Sequence, residues 1–455
     1  MTSVLRIVDI AAMGVLGLFF LLLALFSLSE RRYRAAVVSA LLLTANGIFW
    51  IMLIYWLAIG WVVWVNLAII ILGAVFAALS LMSWFPSRRE GREVSGAERY
   101  DERDQMFARN NLRNHPGLRE KYYRDNPDRE SIDREILRLP EFGQPGHTYY
   151  HRYATPVYQA AFEFIERSIP VSSGEPAPEK REIDPEKLKE YITDAAIFYG
   201  ACDVGFTPIR DYHLYSRAGR HAEGWGEEIS TDHRTAIVIA LRMDIDMIKE
   251  APTGRVIQES FRKYVEAAKV SDIIAAYIRQ FGYRARAHND ANYQTLCVPL
   301  AVDAGLGELG RMGVLIHRKY GPLVRLAVVT TELELSVSPS VDLHIEDFCM
   351  ICRKCSDNCP TSAISGGDEP VSRGFRHWSV SQEECYRFWK KIGTDCGVCL
   401  SVCPYSKPDS FIHRLVRFYI SRNRLNQRIA LLFDDLLYGR RKKINKKNPE
   451  KIFPR

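Results

Sequence analysis

Charge is what the first 84 residues lack. They carry only Arg6, Asp9, Glu30, Arg31, Arg32 and Arg34, and Ala35 to Trp84 carry none. So long a charge-free stretch excludes an ordinary water-soluble chain and a wholly disordered one. Cysteine is scarce over most of the chain: of ten, only Cys202 and Cys297 fall outside Cys349–Cys403. A secreted disulfide framework, which spreads its cysteines through a small domain, is excluded by that placement. A basic surplus is missing from the body as well. The net charge is +7, and Arg440 to Arg455 supply all of it, with eight Lys/Arg against Glu450. A nucleic-acid-binding body needs a basic face, so no nucleic-acid partner is expected. No arginine pair precedes the first apolar run, which argues against an export signal.

What is present divides the 455 residues sharply. Three apolar runs, Ile10–Leu28, Ala35–Ile59 and Trp61–Trp84, each match the roughly 20 residues that cross a bilayer. Trp50, Trp56, Trp61 and Trp64 crowd the second turn and Trp84 sits at the exit, as an interfacial belt would. Arg31, Arg32 and Arg34 fill the first connection, and Arg88, Arg89 and Arg92 follow the third run. Three crossings put both groups on one side. The positive-inside rule then predicts a multi-pass protein of the cytoplasmic membrane whose remaining chain faces the cytoplasm.

Pro86 to Gly146 is arginine-rich, with helical stretches broken at Pro116, Pro127, Pro140 and Pro145. Apolar spacing predicts helices over Asp184–Tyr199 and Ile257–Phe281, and strands at Thr235–Leu241, Val298–Val302 and Val324–Thr330. Gly305-Leu-Gly307-Glu-Leu-Gly310 satisfies a dinucleotide fingerprint. The helix it requires would hold Gly310 and Gly313 and stop before Gly321-Pro322, so no dinucleotide site is expected there.

The cysteines fall in two runs. Cys349-x2-Cys352-x2-Cys355-x3-Cys359-Pro360 has the ferredoxin spacing, in which the cysteine before proline serves the other cluster. Cys385-x10-Cys396-x2-Cys399-x3-Cys403-Pro404 ends the same way. Accordingly Cys349, Cys352, Cys355 and Cys403 are expected on one [4Fe-4S] cluster, and Cys359, Cys385, Cys396 and Cys399 on a second. Zinc prefers well-separated Cys-x2-Cys pairs rather than three closely stepped cysteines.

Several segments in order resemble the reductive dehalogenases. They are Arg99–Arg109, Tyr277–Tyr283, Val298–Arg311, Gly321–Leu326, both cysteine runs and Asp434–Gly439, so the likeness spans about residues 95–440. The resemblance implies an α+β fold with a nitroreductase-like corrinoid domain and a ferredoxin-like module. Boundaries are expected at 1–85 for the anchor, 86–180 for a polar linker and helical region and 181–340 for the catalytic domain. The cluster module follows at 341–410 and a C-terminal helix with a basic tail at 411–455. The implied activity is reduction of an organohalide by two electrons and one proton. The cofactors implied are two [4Fe-4S] clusters and a base-off corrinoid with no protein ligand to cobalt.

By that resemblance Tyr264 is the proton donor, Arg325 lowers its pKa and Asn292 holds tyrosine or substrate, with Asn289 as the alternative asparagine. His288 is a polar neighbour of that site. Asp211-Tyr-His213 and Asp342-Leu-His344 fall short of a corrinoid lower-ligand motif, since Ser216 and Asp347 stand where glycine belongs. The membrane spans depart from the family pattern of an exported enzyme with a separate anchor. The expected partners are an organohalide, membrane lipid and an electron donor, either a quinol or a cytoplasmic reductant. Two other readings stay open: an epoxyqueuosine-reductase-like corrinoid enzyme, and a membrane-bound iron–sulfur electron carrier without a substrate. The basic tail is expected either at the anionic inner leaflet or as a disordered solubilising end.

Overall fold

The computed structural model describes residues 2–56, 59–82, 96–290 and 292–453. The chain forms two compact units, Met1–Arg89 with Pro408–Arg441, and Glu90–Lys407 with Lys442–Arg455.

In the first unit α1 (Thr2–Ser29), α2 (Tyr33–Trp56) and α3 (Gly60–Leu81) are each long and apolar enough to cross a membrane. The first begins eight residues before the predicted Ile10. The reason is Asp9, whose carboxylate accepts a 2.6 Å hydrogen bond from Asn66 Nδ2. Both residues are fully buried, so the charge-bearing residue is absorbed between helices and does not end one. Trp84, Phe85-Pro86 and Arg88, Arg89 and Arg92 lie outside the described residues. Two late helices, Phe411–Ile420 (α16) and Arg424–Tyr438 (α17), complete this unit; Ile412 and Leu437 pack with Leu23 and Ala35.

The second unit opens with four helices at its N-terminal end: α4 (Met106–Asn111), α5 (Pro116–Asp125), α6 (Pro127–Leu137) and α7 (Thr155–Ser168). Pro116 and Pro127 start helices rather than break them, because proline at the first turn gives up an N–H that has no partner there anyway. After α8 (Pro185–Phe198) come β1 (Asp203–Pro208) and β2 (Thr235–Arg242), then α9 (Ile245–Ile248) and α10 (Gly254–Arg279). The chain continues through β3 (Ala285–His288), α11 (Cys297–Asp303), β4 (Gly307–Leu309), β5 (Leu315–His317) and β6 (Val324–Thr331). The sheet has order β1-β2-β6-β3 and every pairing is antiparallel, with Ile239 opposite Ala327 at its centre.

Strand alternation sends Ile237, Ile239 and Leu241 to one face, where they meet Ile274 and Ile278 of α10 and Ile192 of α8. Ala236, Val238 and Ala240 face the other way, onto Leu300 and Ala301. Each large side chain so buried contributes about 1.5–3 kcal/mol. This second layer corrects the strand expected at Val298–Val302, which is helix α11. A short apolar run fits either periodicity, and here a helix is what lays Leu300 and Ala301 over the small residues of β2. Gly205 permits the close approach, since a Cβ there would lie 2.6 Å from the Ala304 carbonyl oxygen.

The glycine motif forms a turn and strand. Gly305 has φ +72°, and Gly307 pairs with His317 in the β4–β5 hairpin. No crossover helix follows, so the motif is structural.

The cysteine runs lie on α12 (Ile345–Cys352), α13 (Lys354–Asp357), α14 (Gln382–Ile392) and α15 (Val398–Val402), with a two-stranded ribbon, β7 (Val371–Ser372) and β8 (Phe375–Arg376), between them. The runs share a backbone device. Arg353 after Cys352 has φ +55°, and Gly397 after Cys396 has φ +63°. Each left-handed residue folds a Cys-x2-Cys step back on itself.

From Lys442 the described part of the basic tail is ordered along the second unit, which corrects the disordered end, one of its two expected forms. Asn448 Oδ1 accepts from Gly254 N–H at 2.8 Å, satisfying a free donor at the start of α10, and its Nδ2 donates to the Tyr149 carbonyl at 2.8 Å. Ile452 is buried.

Candidate active site

Tyr264 lies mid-way along α10, and Arg325 is the second residue of β6, the strand against which α10 packs. The Arg325 guanidinium carbon stands 5.0 Å from the Tyr264 ring centroid. At that separation the cation rests on the ring's electron-rich face. Two groups fix the guanidinium. Its Nη2 donates to Ser260 Oγ at 2.7 Å, one helical turn before Tyr264, and lies 3.7 Å from Asp395 Oδ2. Asp395 immediately precedes Cys396 and also bonds Ser260. Arg325 Nε is buried and has no hydrogen-bond partner among the described residues.

Arg325 acts on the tyrosine in the predicted direction, but burial outweighs it. Desolvation pushes the Tyr264 phenol above its ordinary value, and the nearby guanidinium offsets only part of this. The expected net lowering is therefore corrected to a net rise. Asp290 and Tyr293 share the electrostatic surroundings of Tyr264 and Arg325.

The structure separates the two asparagines. Asn289 is fully buried and its Nδ2 donates to Asp272 Oδ1 at 3.1 Å and Ser271 Oγ at 3.2 Å, pinning the end of β3 to α10. Asn292 is half-buried in the loop after β3, and its Oδ1 accepts from Arg286 Nη2 at 2.8 Å. That bond leaves the amide of Asn292 as its donor end. His288 is a core residue: Nε2 meets Thr330 Oγ1 at 2.9 Å and Nδ1 accepts from Gln294 N–H, with burial holding its pKa well down.

Sequence reasoning missed Ser260, Asp290 and Asp395. Ser260 stands four residues before Tyr264, on the same helix face, and Asp395 abuts a cluster cysteine. Either position carries a signal only once Arg325 is known to reach it.

Among the cysteines, Cys403 has Cys349, Cys352 and Cys355 as electrostatic neighbours. Cys396 and Cys399 each have Cys359 among theirs, and Cys385 has both Cys396 and Cys359. Arg311, almost fully buried, steadies the first run by donating from Nε to the Cys349 carbonyl at 3.0 Å. It also lies 4.3 Å from the Trp378 ring.

His213 is fully buried with both ring nitrogens engaged. Nδ1 accepts from Arg210 N–H at 3.1 Å and Nε2 meets Asp303 Oδ2 at 3.1 Å. His344 lies 3.5 Å from both Asp342 and Asp347. Of the two imidazoles, that of His213 has no ring nitrogen left to ligate a metal.

Residues 348–407 match the 4Fe-4S dicluster domain family. A tetrachloroethene reductive dehalogenase of Desulfitobacterium hafniense is 33% identical over 205 residues, 42% of this chain and 37% of that protein. The tetrachloroethene reductive dehalogenase of Sulfurospirillum multivorans is 29% identical over 296 residues, 57% of this chain and 59% of that one. The chain thus spans roughly two to three fifths of the length of these relatives. The solved catabolic reductive dehalogenase NpRdhA, in complex with 3-bromo-4-hydroxybenzoic acid, superposes with a TM-score of 0.63 at 23% identity, over 80% of this chain and 49% of that chain. A second solved reductive dehalogenase, described for B12-dependent dehalogenation, gives 0.62 at 22% identity, over 80% and 50%. Sequence relationship, shared fold and dicluster module together make this chain similar to the reductive dehalogenases.

Proposed function

We propose that this protein is an oxidoreductase held in the cytoplasmic membrane that replaces a carbon–halogen bond by carbon–hydrogen. The balance is R–X plus two electrons and one proton to R–H plus X⁻. The observation that carries this reading is the Tyr264–Arg325 pair, tied through Asp395 to the adjoining Cys396. A proton donor and an electron-bearing module then meet at one place.

Two clusters suit the eight thiols: Cys349, Cys352, Cys355 and Cys403 would hold one, and Cys359, Cys385, Cys396 and Cys399 the other. The neighbour relations of Cys403 and Cys359 support that grouping. A corrinoid, when bound, would supply the low-valent metal chemistry that carbon–halogen reduction needs. The fully engaged imidazole of His213 is consistent with a corrinoid that does not take this residue as a ligand. Tyr264 and Arg325 would serve its reactive face, with the unpartnered Arg325 Nε available to substrate or departing halide.

Tyr264 Oη–H would deliver the proton. A phenol held above its ordinary pKa yields that proton only to a strongly basic carbon, which protects it from loss to solvent between turnovers. Arg325 steadies the resulting phenolate; Ser260 and Asp395 keep the guanidinium over the ring. Asn292 would turn its amide donor to the substrate.

Anaerobically purified protein should contain about eight iron atoms and one corrinoid, as two cubanes and one organometallic cofactor require. Zinc in place of iron, or full iron with no affinity for any corrinoid, would remove the proposed chemistry.

A further inference from the structure

We infer that α16 and α17 form an amphipathic hairpin that lies in the membrane interface, its outer face against lipid acyl chains and its arginines among anionic headgroups. This rests on the reading that α1–α3 cross the bilayer.

The hairpin is fastened to the end of a span. Its turn supplies Asn423, whose Nδ2 donates to the Leu79 and Met82 carbonyls at 3.1 and 2.9 Å. Asn426 Nδ2 donates to the Ser80 carbonyl at 2.8 Å, and Arg422 to that of Leu81 at 3.3 Å. The last carbonyls of a helix have no partner within it, and at a membrane exit that deficit is costly. Here two buried asparagines satisfy it. A second fastening joins His413 of α16 to Glu30, just past α1, at 3.2 Å. The residues after α1 and those closing α3 lie on one side of a three-span bundle, so the hairpin is held at a single bilayer surface.

Its inner face is spent on these contacts, and the outer face is apolar. Phe411, Leu415 and Phe418 recur at i, i+4 and i+7, and Phe411 is 66% exposed. Leu425, Leu432 and Leu436 form the matching stripe on α17, with Leu432 67% exposed. Two such stripes side by side are costly to leave in water. The stripes are continuous with the membrane-spanning helices of the same compact unit, which favours lipid as their cover. Charge favours it too. Phe411 to Arg441 contains seven arginines against Asp434 and Asp435, a surplus of five. Arg414 and Arg428 sit beside the two stripes, where a long side chain can reach headgroups while its neighbours enter the acyl region.

The test uses the full chain in phosphatidylcholine/phosphatidylglycerol nanodiscs doped with a phosphatidylcholine that carries a diazirine on its acyl chain. After irradiation, adducts mapped by mass spectrometry should appear on α1–α3 and on the stripes of α16 and α17. The Leu415→Glu/Leu432→Glu variant should lose the hairpin adducts to background and keep those on α1–α3. Adducts confined to α1–α3 overturn the inference, as does a protein–protein crosslink through this face in their place. Adducts absent from α1–α3 as well would instead overturn the membrane reading on which it rests.

Discussion

A phenol in water holds its proton to about pH 10, and burial makes Tyr264 hold it longer. The sign follows directly: a raised folded-state pKa keeps the acid form populated at every pH below it, so Tyr264 imposes no basic limb on turnover between about pH 6 and 10. Tyr264→Phe should keep clusters and corrinoid while dehalogenation falls by about 10²–10⁴, the usual contribution of a general acid. A near-normal rate in that variant, or a basic inflection in wild type that Tyr264→Phe abolishes, would end the assignment. Arg325→Lys keeps the charge but loses the guanidinium that lies on the Tyr264 ring while its Nη2 reaches Ser260 and Asp395. Turnover should drop by at least about tenfold with cluster content unchanged, read by single-turnover kinetics beside iron analysis. At this scale the sequence shows Tyr264 and Arg325 only through resemblance. Ser260 and Asp395 stay hidden because their role exists only when α10, β6 and the second cysteine run converge.

Elements are more legible than contacts. Thr235–Leu241 and Ile257–Phe281 reveal a strand and a helix because their apolar periods run long enough to decide. Val298–Val302 does not, and the small residues on one face of β2 settle it as helix. Least legible is how α4–α6 meet the cluster module. Arg109 of α4 and Asp133 of α6, each 1% exposed, pair at 2.9 Å; Arg109 also bonds Glu383 on α14, the helix that bears Cys385. Tyr123 Oη donates to the same Asp133 at 2.9 Å. Removing one partner from a buried pair costs about 3–5 kcal/mol because the other charge is stranded. Glu383 still serves Arg109, so the lower figure applies to Asp133→Ala. Amide exchange across α14 should quicken by about a hundredfold, the equivalent of roughly 3 kcal/mol, while β2 stays protected. Unchanged exchange in α14 would show that the pair does not hold the cysteine-bearing helix.

For the whole molecule, hydropathy reveals the three apolar helices, but not that Pro408–Arg441 returns to them or that Lys442–Arg455 rejoins the second unit. Those returns depend on Asn423, Asn426 and Asn448, single polar residues whose partners are backbone groups hundreds of positions away. Sequence pattern cannot register such bonds. Orientation is a different matter, because it depends on loop charge and not on contacts. Arg31, Arg32 and Arg34 follow the first apolar run and Arg88, Arg89 and Arg92 follow the third, while the second connection has no charge. Arginine in short loops is retained on the cytoplasmic side, and three crossings would put both groups there together. A reporter fused after Arg455 should therefore be active as a cytoplasmic enzyme and silent as a periplasmic one. Converting the three arginines of the first connection to glutamine should weaken that preference without abolishing it, since the second group remains. Periplasmic activity from the unaltered chain would reverse the orientation. It would also remove a cytoplasmic reductant from the possible donors, because electrons would then have to arrive through the membrane.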